Sequence, residues 1–145
     1  MGTTDTTTTG GFDLASLNLA EQAETPHALT IVHPVSGAPL MGANGQPSRI
    51  MLIGAESNTA RELQRRAQRT RAKSVVTKRI DPEEIEAMAA KFLASLVKGW
   101  ENIEWQGQPL AFTHENALML LTTLGWLRKQ VDDFVYDVEA FASGN

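Results

Sequence analysis

Hydrophobic and polar positions follow two rhythms along the chain, and the pattern changes near residue 80. In the first half, β-forming residues come in short runs closed by turn formers. Ala28–His33 (ALTIVH) ends at Pro34, and Arg49–Ile53 (RIMLI) ends at Gly54, as expected of strands bounded by breakers. Between them Ser36-Gly37 and Asn44-Gly45 supply turns, the second dipeptide being suited to positive φ at both central positions. The pattern predicts a three-stranded antiparallel meander with Ala38-Pro39-Leu40-Met41 in the middle. Pro39 has no backbone donor, which puts that segment at an edge or breaks it; a two-stranded hairpin with a long loop is the alternative. Upstream, Phe12, Leu14, Leu17 and Leu19 are anchors for an apolar segment that runs to Ala23 and allows a short helix.

From residue 57 the rhythm becomes helical. Ser57 is a cap for a helix running from Asn58 to about Ala72, whose apolar side is thin: Ala60, Leu63, Ala67 and Ala72. Such a helix is solvated on most faces. Val75, Val76 and Thr77 form a β-branched patch that reads as a linker or helix end. Asp81-Pro82-Glu83-Glu84 is a strong helix start, with a capping Asp, Pro at the first helical position and acids at the positive end of the dipole. Ile85, Met88, Ala89, Phe92, Leu93, Leu96 and Val97 then recur at three- and four-residue steps as one apolar face, stopped by Gly99. Trp100 to Phe112 alternates aromatic and polar residues around Gly107 and Pro109, the pattern of a compact turn or small hairpin. Thr113 caps a helix through Glu115, Ala117, Leu118, Leu120 and Leu121. A break at Gly125 precedes a last helix burying Leu127, Val131, Phe134, Val135, Val138 and Phe141, with Asp132, Asp133, Asp137 and Glu139 turned outward.

The predicted fold class is therefore α+β: an N-terminal antiparallel β-meander or hairpin, a basic linking helix and a C-terminal three-helix unit. Residues 1–11 are Thr- and Gly-rich with almost no apolar content and are expected to be a disordered tail. Residues 12–79 hold the meander and basic helix, 80–142 the helical unit, and 143–145 a short tail.

Composition changes this picture by exclusion. At 145 residues with 42% hydrophobic and 21% charged side chains, the chain has enough apolar content to fold as one ordinary domain. It has no cysteine, which removes disulfides, thiolate metal sites and cysteine nucleophiles and fits a reducing compartment. Met1-Gly2-Thr3-Thr4-Asp5 lacks the basic start and apolar core of a signal peptide, so export by that route is not expected. No apolar run approaches the roughly 20 residues of a membrane span.

Charge adds an asymmetry that the net value of −4 hides. Residues 61–79 hold eight basic side chains, Arg61, Arg65, Arg66, Arg69, Arg71, Lys73, Lys78 and Arg79, against the single acid Glu62. From Asp81 onward eleven acids face Lys91, Lys98, Arg128 and Lys129. The split suggests electrostatic contact, either between the segments or with a partner.

Candidate chemistry is sparse. His27, His33 and His114 share no metal-ligand spacing, and neither GxxxxGK[ST] nor GxGxxG occurs. The acids at Asp81 are explained by capping. No catalytic residue, cofactor or metal site is expected, and the chain reads as a non-enzyme. Arg61, Arg65, Arg66 and Arg69 form a basic row, but it has no interleaved aromatic residues and no recognisable docking module, so a solvated face or an acidic protein partner outweighs nucleic acid. Trp100, Trp105 and Trp126 fit a core; Trp105, in a turn between helices, is the best interface candidate among them. The candidate partner contacts are thus Arg61, Arg65, Arg66, Arg69 and Trp105.

Three stretches together resemble the tail assembly chaperones of long-tailed bacteriophages. The first, Leu29 to Ser57, has a strand ending in His33-Pro34, a turn at Gly37, a second strand, then Gly54, Glu56 and Ser57 before a helix. The second is Leu96 to Asn116, where a helix ends in Gly99-Trp100 and a Gly-containing turn leads to Phe112-Thr113-His114-Glu115-Asn116, and the third is Trp126-Leu127 to Gln130-Val131, Phe134 and Phe141. The resemblance implies a protein of the host cell cytoplasm that binds the tail tape measure protein, keeps it soluble, helps recruit tail tube subunits and is absent from the mature virion. Self-association is left open, and neither a membrane nor a nucleic-acid partner is expected. The rival readings are a structural tail completion or connector protein of the virion and, behind it, a nucleic-acid-binding regulator.

Overall fold

The computed structural model describes residue 11, residues 13–73 and residues 81–142. The expected disordered tail before residue 11, the anchor Phe12, the β-branched patch at 75–77 and the tail at 143–145 lie outside the described residues.

A 3-10 turn, Leu14–Leu17, and helix α1, Leu19–Ala23, open the described chain. Asp13 caps the turn and Asn18 the helix, as short polar side chains do at orphan N–H groups. Leu14 and Leu17 were expected as anchors but are exposed, and only Ala23 is buried. Strand β1, His27–Thr30, pairs antiparallel with β2, Arg49–Leu52, and Leu29 lies opposite Ile50. The middle strand of the expected meander survives as two isolated bridges, Val32 to Pro39 and Met41 to Pro47. Each contains a proline, and a proline cannot return the second hydrogen bond that would extend a bridge into a ladder. Leu40 still donates to the Ile31 carbonyl at 2.9 Å, and Ser48 donates to the Leu40 carbonyl at 2.8 Å.

Helix α2, Asn58–Lys73, starts on a buried Ser57 whose hydroxyl donates to the Gly54 carbonyl at 2.7 Å and accepts from the Ala60 amide at 3.1 Å. The Glu24 carboxylate at the end of α1 accepts from the Thr59 amide at 3.3 Å and from its hydroxyl, a favourable place for an anion at a helix N-terminus. Helix α3, Pro82–Leu96, begins as expected at Asp81-Pro82. Asp81, however, makes no side-chain cap bond; its backbone carbonyl accepts from Glu84 and Ile85, so the acids act through the dipole alone.

The main departure from expectation comes at the end of α3. The helix stops at Leu96, and Val97–Glu101 forms strand β3 against β2, with Ile50 opposite Trp100 and Arg49 opposite Glu101. The three-stranded sheet therefore runs β1-β2-β3, its third strand supplied from beyond residue 80. An apolar periodicity that includes Val97 continues a helix on paper. Pairing wins because the second edge of β2 would otherwise leave backbone groups unmatched beside the core.

The turn region after β3 holds the expected small hairpin, β4, Glu104–Trp105, with β5, Gln108–Pro109. Gln106 and Gly107 both have positive φ, 54° and 80°, the signature of a two-residue type I′ turn. Helix α4, His114–Thr123, is capped by Thr113, whose hydroxyl accepts from the Asn116 amide at 3.0 Å. The expected break falls at Leu124, and Arg128 donates back to the Leu121 carbonyl at 3.0 Å across it. The expected last helix is two: α5, Gly125–Val135, and α6, Val138–Ala142. Asp137 caps the second through the amides of Glu139 and Ala140, which leaves Val138 exposed while Phe141 is buried.

One core unites these elements. Ile50, Leu52 and Ile53 from the β2 region, Ala60 from α2, and Ala90, Leu93 and Leu96 from α3 meet Leu120 and Leu121 from α4 and Leu127, Val131 and Val135 from α5. Gly54 sits where α1, α6 and the β2 end converge. Its amide donates to the Ala23 carbonyl at 2.8 Å, and an added Cβ would lie 3.0 Å from the Ala23 Cβ and 3.2 Å from the Phe141 ring.

Candidate interaction surfaces

The basic row of α2 stands on one carboxylate. Glu62 accepts from Arg65 at 3.1 Å and pairs with Arg66 at 3.4 Å and Arg69 at 3.5 Å. Helical spacing brings these positions to one side of the cylinder, three, four and seven residues from Glu62. The Arg65 hydrogen bond, helped by the charges of Arg65 and Arg69, holds the Glu62 carboxyl below its ordinary range. Three guanidiniums over one carboxylate leave a surplus of positive charge on an exposed helix face. Arg61 is occupied separately by Glu56, at 2.7 Å. The candidate arginines are thus gathered on α2, with Arg61 in a different pair from the other three.

Trp105 lies elsewhere, half-buried on β4 with its ring packed against the core. The more open aromatic site is formed by its neighbours. Trp100 donates from Nε1 to the Leu110 carbonyl at 2.8 Å, and its ring meets Phe112 edge to face at 5.2 Å. Together with Asn44, Glu101, Glu104 and Leu110 they line a groove of about 390 Å³. Phe112 is 37% exposed.

The Asn44 and Asn102 part of the groove is held by a polar latch. Asn102, at φ 60°, donates to the Pro47 carbonyl at 2.9 Å and accepts from Asn44 at 2.9 Å, while its own carbonyl accepts from Ser48 at 2.6 Å. Glu104 accepts from the Ala43 amide at 2.7 Å. Gly42 is required here, because a Cβ would lie 2.9 Å from that of Asn102. The groove is therefore lined by two aromatic rings, Trp100 and Phe112, and by two exposed carboxylates, Glu101 and Glu104. Sequence reasoning singled out Trp105 and missed Trp100 with Phe112. The available signal was the aromatic-polar alternation itself, which says that the stretch turns but not which ring turns inward.

His33, Pro34 and Gly37 build a turn rather than a site. His33 Nδ1 accepts from the amides of Val35 and Ser36, at 3.0 and 3.2 Å, and Gly37, at φ 77°, donates to the His33 carbonyl. Among the described residues no group of three or more His, Asp or Glu side chains is placed to hold a metal ion, and no described helix is long and apolar enough to cross a membrane.

A protein-family model described as the YdaY prophage protein matches residues 55–144. The chain belongs to the YdaY prophage protein family. The match opens in the turn that carries Ser57 and takes in α2 to α6, so both surfaces, the arginine row and most of the aromatic groove, belong to the family span. It leaves out β1 and β2, although β2 is the partner of β3 within that span. Membership in the YdaY family makes the protein phage-associated. No curated protein and no solved structure matches the chain.

Proposed function

We propose that this YdaY-family protein is a tail assembly chaperone: it binds the tape measure protein in the host cytoplasm, keeps it soluble and helps recruit tail tube subunits. Prophage membership supports the setting, and the order of motifs along the chain supports the specific role. The observation that carries the mechanism is the Trp100–Phe112 groove, which the exposed Glu101 and Glu104 also line. A tape measure protein awaiting its tube presents long amphipathic helices whose apolar side needs cover. The aromatic rings take an apolar side chain and the exposed carboxylates take flanking Lys or Arg, the usual division between an apolar anchor and its polar surround. The client surface is then this groove, and Trp105, which packs against the core, does not line it.

Co-expression with the tape measure protein of the same prophage tests the reading. The wild-type chain is expected to hold the client in the soluble fraction and to co-purify with it, and Phe112→Ser combined with Glu101→Lys to lose both. A client that is equally soluble without the chain and does not co-purify with it would overturn the proposal. So would stoichiometric presence of the chain in purified virions, which would favour a tail completion or connector protein.

A further inference from the structure

The apolar stripe of α3 outruns the core that it serves. Its C-terminal half is covered, with Ala90, Leu93, Ala94 and Leu96 buried. Every residue from Asp81 to Met88 is exposed, including two large apolar side chains, Ile85 at 52% and Met88 at 40%. They lie three apart, on the same side of the helix as the half-buried Ala89 and Phe92. Helix α2 shows the mirror-image gradient: Ala60 is buried and Leu63 half-buried, while residues 65–70 are all exposed. The two helices touch each other, and their exposed halves, the end of one and the start of the next, are together the arm.

The arm has opposite charge on its two helices. On α2, Arg65, Arg66 and Arg69 share Glu62. On α3, Asp81, Glu83 and Glu84 have no ion pair among the described residues, and Glu86 alone reaches a cation, Arg128 at 4.0 Å. Among the described residues each copy thus offers surplus positive charge on one helix and unpaired negative charge on the other, beside an exposed apolar pair. A surface of that kind is complementary to itself under a two-fold axis, which sets each helix against the opposite one of the second copy. We infer that the arm is a homodimer interface: α2 of one copy packs on α3 of its partner, the arginines meet the acids of the first two turns, and Ile85 and Met88 are covered. This inference is independent of the tape measure reading, because it uses a different face from the aromatic groove.

Sedimentation velocity of the full chain, across micromolar to submillimolar concentration, tests it. A dimer that weakens as salt is raised is expected. Two charge-swapped variants, Glu83→Lys with Glu84→Lys and Arg65→Glu with Arg69→Glu, should each raise the dissociation constant about tenfold or more, since like charges then face each other. An equimolar mixture of the two variants should recover dimers. Recovery cannot come from misfolded chains, and Ile85→Ser, at an exposed position, gives an independent loss of affinity with unchanged circular dichroism. A wild-type monomer at all concentrations overturns the inference, as do a dimer indifferent to both swaps, a mixture that does not recover, and open-ended assembly beyond the dimer.

Discussion

At the scale of single residues, several side chains hold together parts of the chain that the sequence separates widely. Gln130 on α5 is the clearest case. Its amide oxygen accepts from the Val32 amide at 3.1 Å and its nitrogen donates to the Val32 carbonyl at 2.8 Å, across 98 positions. The planar amide imitates a strand neighbour and closes the open side of the β1 extension, where no described strand pairs. Gln130→Ala removes both bonds and leaves a half-buried N–H and C=O without partners, so a loss of about 1–3 kcal/mol is expected from the urea midpoint. Gln130→Glu keeps the acceptor but turns a second oxygen on the Val32 carbonyl. It should be destabilised at neutral pH and recover on acidification, a reversal that a simple packing role would not produce. Asn102 works similarly in the other half of the molecule, fastening Asn44 and Pro47 to the turn between β3 and β4.

Elements show which physical signals a linear pattern holds and which it lacks. Helix starts were legible because their determinants are local: Ser57 and Thr113 cap as expected, through the amides of Ala60 and Asn116. The break near Gly125 and the Gln106-Gly107 hairpin region were legible for the same reason. Strand β3 was not, because Val97 and Trp100 are strand residues only in the presence of β2, and no local rule states that need. The stripe from Ile85 to Val97 was correctly seen as apolar, but periodicity cannot tell which turns of a stripe are covered by the chain itself. In the candidate site, the arginine row was readable from spacing, whereas the groove depended on the Asn102 latch, a contact between distant segments. For α2 the sign of one pH effect can be worked out. Glu62 has its carboxyl lowered chiefly by the hydrogen bond from Arg65, so its contribution to stability is fully present above the ordinary carboxylate range. It is lost as the pH falls through the lowered value. The pairs are exposed and screened, which keeps the effect small. Thermal melts followed by circular dichroism between about pH 3 and pH 7 should show a slightly smaller acid-induced fall in Tm for Glu62→Gln than for the wild type. Identical falls would mean that the three arginines gain nothing from the shared carboxylate.

On the scale of the whole molecule, a change of pattern near residue 80 suggested a β part followed by a helical part, yet the sheet crosses that point. Strand β2 lies between β1 and β3, and Ile50 and Leu52 share their core with Leu93, Leu96 and Val97. Each side lacks contacts without the other: without residues 27–53 strand β3 loses its partner, and Leu93, Leu96 and Val97 lose Ile50 and Leu52 from their shared core. The family match begins at residue 55, so a fragment drawn from the matched span alone would contain β3 without its partner. The expected outcome is a single cooperative unfolding transition for the full chain, with far-ultraviolet circular dichroism and tryptophan fluorescence coinciding. Trp100, Trp105 and Trp126 all report from beyond residue 80, whereas the dichroism also senses α1, β1, β2 and α2, so a two-unit molecule would separate the curves. A fragment of residues 81–145 should show the red-shifted emission of solvated indoles and no cooperative transition in urea. A native-like emission maximum with a sharp transition in that fragment would instead establish an independent helical unit, and β3 would then be an accessory to the sheet rather than the strand that joins the two halves.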